Sequence, residues 1–208
     1  MRHVFLIRHP EIMQAEAKRY YGVTDVDLSQ RGEEQAQLLA DHLSSQPAIE
    51  TVFSSHLKRT QRPAGLLAQR LKIFHRIEPD LGEINFGSWE GLAFQEMLGR
   101  DPQLYRDWLR MAPNFGFPQG ESLAQFQQRV IPAYKRIALD GNDGASAAVF
   151  THGGVIKLIL ADLLVIPWGQ VNCLRQSFGA VNIIDYQDGV GVLQLMNDTC
   201  YQGDDNHG

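Results

Sequence analysis

The stretch Leu6-Ile7-Arg8-His9-Pro10-Glu11 decides how this chain is read. It ends a short apolar run, His3-Val4-Phe5-Leu6-Ile7, which has the composition of a buried strand and is too short for a helix. A strand that stops at a guanidinium and an imidazole carries polar chemistry to one edge of a sheet. In α/β sheets ligands bind beyond the carboxyl ends of the strands. A single strand-end histidine usually has only a structural hydrogen-bonding role, so the weight rests on whether other strands end alike.

Working outward, they do. Residues 146–150 form a second apolar strand, which runs into Thr151-His152-Gly153-Gly154. Residues 51–55 read as a strand entering a helix that carries Lys58, Arg59 and Arg62. Residues 73–77 read as another strand, followed by Glu78 and, in the loop after it, Glu83. Two histidines, at least two arginines and a carboxylate can therefore meet at one sheet edge. Arginine offers a permanently charged, bidentate donor suited to phosphate. The Gly153-Gly154 backbone entering a helix adds N–H donors for an anion. An imidazole in line with phosphorus can act as a nucleophile, and a carboxylic acid can protonate the leaving oxygen.

The intervening segments supply the frame. A helix starts near Ser29 or Gln30, with Ala36, Leu39, Ala40 and Leu43 at helical spacing. A second helix follows Leu57, with Pro63 either kinking it or opening its main part. Residues 91–110 hold one or two short helices divided at Asp101-Pro102, and residues 111–120 form a Pro/Gly-rich loop. Ser122 and Gln125 have capping-box spacing ahead of a helix reaching about residue 139, and residues 141–144 are a turn. A buried helix ends near Leu164, and two strands separated by Gln187-Asp188-Gly189 form a hairpin. Strands alternating with crossover-length helices predict an α/β fold with a mostly parallel sheet covered on both faces, the hairpin adding an antiparallel edge. One domain over residues 1–200 is expected, with 201–208 a disordered tail.

Composition narrows the class. The 208 residues are 44% hydrophobic and 21% charged, ordinary values for a globular chain. A net charge of −5 without a basic block argues against nucleic-acid binding. Cys173 and Cys200 stand far apart and form neither a metal cluster nor a redox pair, which fits a cytoplasmic setting. No apolar run is long enough for a signal core or a membrane span. There is no phosphate-binding loop of the GxxxxGK[ST] kind, no GxSxG elbow, no HExxH and no dinucleotide fingerprint.

At this point the segments resemble the histidine phosphatase superfamily, also called phosphoglycerate mutase-like. FLIRHPE resembles its strand ending in Arg-His-Gly-Glu. SSHLKRTQRPA resembles the arginine-bearing helix entrance, LGEINFGSWEG the acid loop and VFTHGGVIK the second histidine motif. YYGVTDVDLSQRGEEQA and PQGESLAQFQQRV resemble intermediate stretches, so the likeness spans about residues 2–195 in the expected order. The resemblance implies a three-layer α/β/α sandwich in which residues 84–120 contribute a lid. It implies that His9 is transiently phosphorylated, that Arg8, Arg59 and His152 neutralise phosphoryl oxygens, and that Glu83 is the general acid. It extends substrate binding to Gly153, Arg62, Tyr21 and Gly22. It implies no metal and no cofactor.

Five positions depart from the family pattern. Pro10 stands for a glycine and removes an N–H, Ile12 for threonine or serine, Ala15 for asparagine, and Arg62-Pro63 for Gln-Thr. The compact length favours a phosphatase acting on a small-molecule phosphate ester, most resembling the alpha-ribazole phosphatases. A phosphoglycerate mutase, a broad sugar phosphatase and a non-catalytic phospho-ligand-binding protein are the alternatives. Tyr20, Tyr21, Phe86, Trp89, Trp108 and Phe115 either line an apolar wall for a benzimidazole-like ring or pack the core and lid. A monomer and a homodimer are both compatible with the apolar terminal hairpin.

Overall fold

The chain alternates strand and helix through most of its length. In order, the elements are β1 (Arg2–Arg8), α1 (Gln30–Ser44), β2 (Ile49–Ser54), α2 (Lys58–Leu71), β3 (His75–Ile77), α3 (Phe94–Arg100), α4 (Pro102–Leu109), α5 (Leu123–Leu139), β4 (Ser146–Thr151), α6 (Gly153–Leu164), β5 (Val181–Gln187) and β6 (Val190–Asp198). The structure is a computed structural model that describes residues 1–46, 49–110, 115–139 and 145–203. The turn expected at residues 141–144 lies outside the described residues.

The strands form one sheet in the order β3-β2-β4-β1-β5-β6. The pairs β1/β4, β2/β4 and β2/β3 are parallel, whereas β5 runs antiparallel to both β1 and β6. Side chains alternate across β1, so its unbroken apolar run serves two cores. Phe5 and Ile7 pack with Leu39, Leu43 and Leu67 of α1 and α2. Val4 and Leu6 pack on the other face with Val130 and Ile137 of α5 and Ile156 and Ile159 of α6. The result is the three-layer α/β/α sandwich with a mostly parallel sheet.

Local signals hold where they have a physical partner. Ser29 caps α1 by accepting from Gly32 N at 3.0 Å. Ser122 and Gln125 exchange both hydrogen bonds of the capping box at the entrance of α5. Asp101 ends α3, and its carboxylate caps α4 by accepting from Leu104 N, as the Asp-Pro division implies. Pro63 lies inside α2, which continues through it to Leu71. The hairpin turn Asp188-Gly189 has both residues at positive φ, the conformation that matches strand twist.

Two expectations change. The strand read over residues 73–77 shrinks to His75–Ile77: Ile73 N donates to Ala68 O and so terminates α2, and Phe74 is 84% exposed. The expected tail does not begin at residue 201. Tyr201 donates to Gly179 O at 2.6 Å, and Gln202 bonds Gln35 and Phe178 O. Residues 204–208 lie outside the described residues. Among the described residues no helix is long and apolar enough to cross a membrane.

Leu6 is wholly buried in the central strand, so its truncation removes transfer energy and leaves a cavity. Leu6→Ala is expected to lower the unfolding free energy by about 2–5 kcal/mol, read from urea titration.

Candidate active site

Parallel pairing brings the strand ends together. Arg8, the last residue of β1, stands in register with Thr151, the last of β4. His9 N donates to Thr151 O at 2.9 Å, so the residues that follow the two strands, His9 and His152, are neighbours with ring centroids 5.3 Å apart. β2 flanks β4 on its other side, and Ser55 N donates to Phe150 O. Arg59 projects from the first turn of α2 and is 1% exposed. Glu83 reaches the same place from the loop after β3, its Oε2 accepting from Gly154 N at 2.9 Å.

Hydrogen bonding assigns both tautomers. His9 Nδ1 lies 2.8 Å from Pro10 O, an oxygen that only accepts, so Nδ1 carries the proton and Nε2 keeps its lone pair. Pro10 has lost an N–H but retains the carbonyl that orients the imidazole. Arg59 Nε can only donate, so His152 Nδ1 accepts its bond at 3.3 Å. His152 Nε2–H then donates to Ser55 Oγ at 2.8 Å. The chain closes because Thr60 Oγ1 donates to Leu57 O, leaving it to accept from Ser55 Oγ.

Burial and neighbouring charge keep both imidazoles neutral. His9 lies well below its ordinary pKa, chiefly through burial, with the Arg59 and Arg8 guanidinia adding to the effect. His152 is depressed for the same reasons, with His9 itself contributing. Burial brings Arg8 down to about 10, which leaves it a cation at neutral pH, and the Glu83 carboxylate opposes that fall. Arg8 Nη1 donates to Gln176 O, and its guanidinium lies 4.1 Å from the centre of the Phe178 ring. Arg8 Nε is buried without a hydrogen-bond partner, 3.4 Å from where a methyl group at Gly153 would sit. A buried donor of that kind needs an acceptor.

The supporting residues were the ones sequence reasoning missed. The Glu90 carboxylate accepts from the backbone N–H groups of Gly22, Val23, Thr24 and Phe86 and from the Thr24 hydroxyl. It thereby holds the 22–24 loop, whose carbonyls in turn bind the Arg59 guanidinium. Arg129 donates to the carbonyls of Asp80, Gly82 and Glu83, fixing the acid loop from α5. The Phe178 ring packs 5.6 Å from His9. Nothing local in the sequence marks these residues except the Trp-Glu-Gly end of the acid loop, where Glu90 lies.

Several expected participants stand elsewhere. Arg62 is half-exposed and pairs with Glu33 at 3.0 Å, because its place on α2 turns it toward α1. Glu78 faces Arg136, and Lys58 N is bonded by Asp25. Tyr21 and Gly22 enter through their carbonyls, which accept from Arg59 Nη2, while the Tyr21 side chain packs against the Ile12–Leu28 cluster. Gly22 is required there: a methyl group on it would fall 1.9 Å from Ile84 O. Tyr20, Phe86, Trp89, Trp108 and Phe115 pack edge to face among themselves and Phe117 in the larger core, the packing alternative of the two readings.

Two outcomes follow. Glu90→Gln places an amide against backbone donors and releases the loop that orients Arg59. The variant is expected to lose about 10- to 100-fold in kcat/KM while remaining folded by circular dichroism. The neutral histidines also tie stability to pH. Their folded pKa values lie below the unfolded value near 6.5, so the unfolded chain binds more protons in acid. This contribution is complete above about pH 6.5 and is lost as pH falls below it. The urea midpoint is expected to fall from pH 7.5 to 5.5, and less steeply in His152→Asn.

Comparison with known proteins places this geometry. Residues 4–199 match the family model described as histidine phosphatase superfamily (branch 1). A bifunctional protein of Mycobacterium tuberculosis is 33% identical over 199 residues, 95% of this chain, and the chain spans about half (54%) of that relative's length. Phosphoserine phosphatase 1 of Hydrogenobacter thermophilus is 28% identical over 98% of this chain and 96% of its own. The crystal structure of the alpha-ribazole phosphatase from Shigella flexneri superposes with a TM-score of 0.84 at 28% identity, covering 94% of this chain and 96% of that one. With the matched residues running from β1 to the end of β6, the chain belongs to the histidine phosphatase superfamily.

Proposed function

We propose that this chain hydrolyses phosphate monoesters of small alcohols through a phosphohistidine formed on Nε2 of His9. The observation that carries the reading is the unprotonated Nε2 beside a buried guanidinium donor that lacks an acceptor. A phosphoryl group bound there would take Arg8 Nε–H and the charge of Arg59, satisfying both cations in a dry site where such contacts are strong.

In the first step His9 Nε2 donates its lone pair to phosphorus as the bond to the ester oxygen breaks. Glu83, taking up a proton as the dianionic ester binds, gives that proton to the departing oxygen, and the alcohol leaves. In the second step the Glu83 carboxylate takes a proton from water as the water oxygen attacks phosphorus and the N–P bond breaks. Inorganic phosphate leaves, His9 regains its lone pair, and Glu83 is again protonated. The proton stays on Nδ1 and is donated to the Pro10 carbonyl throughout, fixing the ring in both steps. His152, neutral and held by Ser55, borders the phosphoryl position without changing protonation. The residues present supply nucleophile, acid and electrostatic stabilisation, so no step needs a metal or cofactor.

Alpha-ribazole 5'-phosphate is the substrate this reading names. Its support is the likeness to the Shigella flexneri enzyme along nearly the whole chain. The Hydrogenobacter thermophilus relative, equally identical, supplies phosphoserine as the competing substrate. Phosphate release from alpha-ribazole 5'-phosphate, phosphoserine, 3-phosphoglycerate and sugar phosphates would be measured with and without EDTA. Turnover is expected to survive EDTA, to favour alpha-ribazole 5'-phosphate, and to drop by about a thousandfold or more in His9→Ala. Undiminished turnover in His9→Ala would sink the mechanism. Interconversion of 2- and 3-phosphoglycerate without phosphate release would identify a mutase instead.

A further inference from the structure

We infer that the cleft outside Glu83 receives the leaving alcohol and selects uncharged, hydroxylated alcohols over carboxylate-bearing ones. The inference rests on the phosphomonoesterase reading, because it takes Glu83 as the acid. In-line attack by His9 sets the departing oxygen on the far side of phosphorus, and the acid has to touch that oxygen. The leaving group therefore extends past Glu83. Glu83 also lines a cleft of about 580 Å3, together with Val23, His56, Asn85, Gln125, Gln128 and Arg129, and the inference assigns the leaving group to that cleft.

The guanidinium of this cleft is already engaged. Its permanently charged cation, Arg129, spends Nε on Glu121 Oε1 at 2.7 Å. Its Nη1 donates to Asp80 O and Gly82 O, and its Nη2 to Glu83 O and Glu121 Oε2. Those bonds use all five guanidinium hydrogens. Glu121, which also lines the cleft, balances the charge, and Glu83 brings a further carboxyl. Lys157, whose ammonium faces Asn172, is not among the lining residues. A carboxylate on the leaving group would give up water in exchange for no unengaged guanidinium or ammonium, beside two carboxyl groups.

The cleft offers neutral hydrogen bonding instead. Asn85 uses Oδ1 on Gly87 N, which leaves its NH2 to donate, and Gln125 uses Oε1 on Ser122 N, which leaves its own. Gln128 is exposed at the cleft and adds a second donor–acceptor pair from α5. Amides of this kind suit hydroxyl groups. The aromatic cluster of Tyr20, Trp89 and Trp108 is absent from the lining, so recognition falls on the hydroxylated carbons next to the phosphate.

A matched pair of esters tests the inference. Glycerol 3-phosphate and 3-phosphoglycerate share a three-carbon frame and differ by a hydroxymethyl in place of a carboxylate. At pH 8 the protein is expected to favour glycerol 3-phosphate by about tenfold or more in kcat/KM, consistent with an uncompensated charge. Gln128→Arg, which adds a cation at an exposed position, is expected to shift that ratio at least about tenfold toward 3-phosphoglycerate. A wild-type preference for 3-phosphoglycerate, or a ratio unmoved by Gln128→Arg, overturns the inference. p-Nitrophenyl phosphate separates the two levels. If it is hydrolysed in a His9-dependent manner while the carboxylate ester is preferred, only the selectivity inference fails. If none of the three esters is turned over, the phosphomonoesterase reading fails and takes this one with it.

Discussion

The parallel pairing of β1 with β4 is the constraint on which the site depends. Because Arg8 stands opposite Thr151, the residues after both strands leave the sheet at the same height and the same edge. A slip of one residue would exchange the faces of the whole strand, turning Val4 and Leu6 toward α1 and α2. Burial on both faces makes the register expensive to lose, so the hydrophobic core fixes the spacing of the two imidazoles. β5 adds a second consequence through its reversed direction. It presents its N-terminal end to the edge where β1 and β4 present their C-terminal ends. The residues just before β5 consequently reach the site, and Gln176 O and the Phe178 ring both meet Arg8.

One electrostatic arrangement serves both binding and nucleophilicity. Two guanidinia and two imidazoles lie close together out of water, with Glu83 the main opposing charge. In such a place a second pair of cations would be costly, so the histidines give up their protons rather than the arginines. His9 is thereby kept as a free base while the arginines stay charged. The same arrangement leaves Arg8 Nε, a buried donor, without a hydrogen-bond partner.

How much of this was legible in the sequence follows from which interactions are local. The apolar run of β1, the cap at Ser29, the capping box at Ser122 and Gln125 and the Asp-Gly hairpin depend on neighbours in the chain. All of them could be read. Arg8, His9, Arg59, Glu83 and His152 were legible because each follows or begins a recognisable element, and the sheet brings those ends together. Glu90, Arg129, Ser55 and Phe178 act on groups far away in sequence, so no spacing rule marks them. Arg62 illustrates the opposite error. It lies three residues beyond Arg59, but that step around the helix points it at Glu33 on α1. The loop after α2 misled for a backbone reason: Lys72 takes a left-handed conformation and prolongs the helix end into an apparent strand.

The two halves of the site answer to different parts of the chain. The half proposed to hold the phosphoryl group is built from strand ends and the first turn of α2, where main-chain pairing and burial allow little change without loss of the core. The half proposed for the leaving alcohol is built from the acid loop and the exposed side of α5, where Gln125 and Gln128 can be replaced at small cost to packing. Motifs that identify the chemistry therefore carry little information about the alcohol. That is why relatives named for phosphoserine and for alpha-ribazole match this chain at the same identity. On the proposed reading, substrate choice lies with the residues around Glu83, which are amides beside an arginine whose hydrogens are all in use.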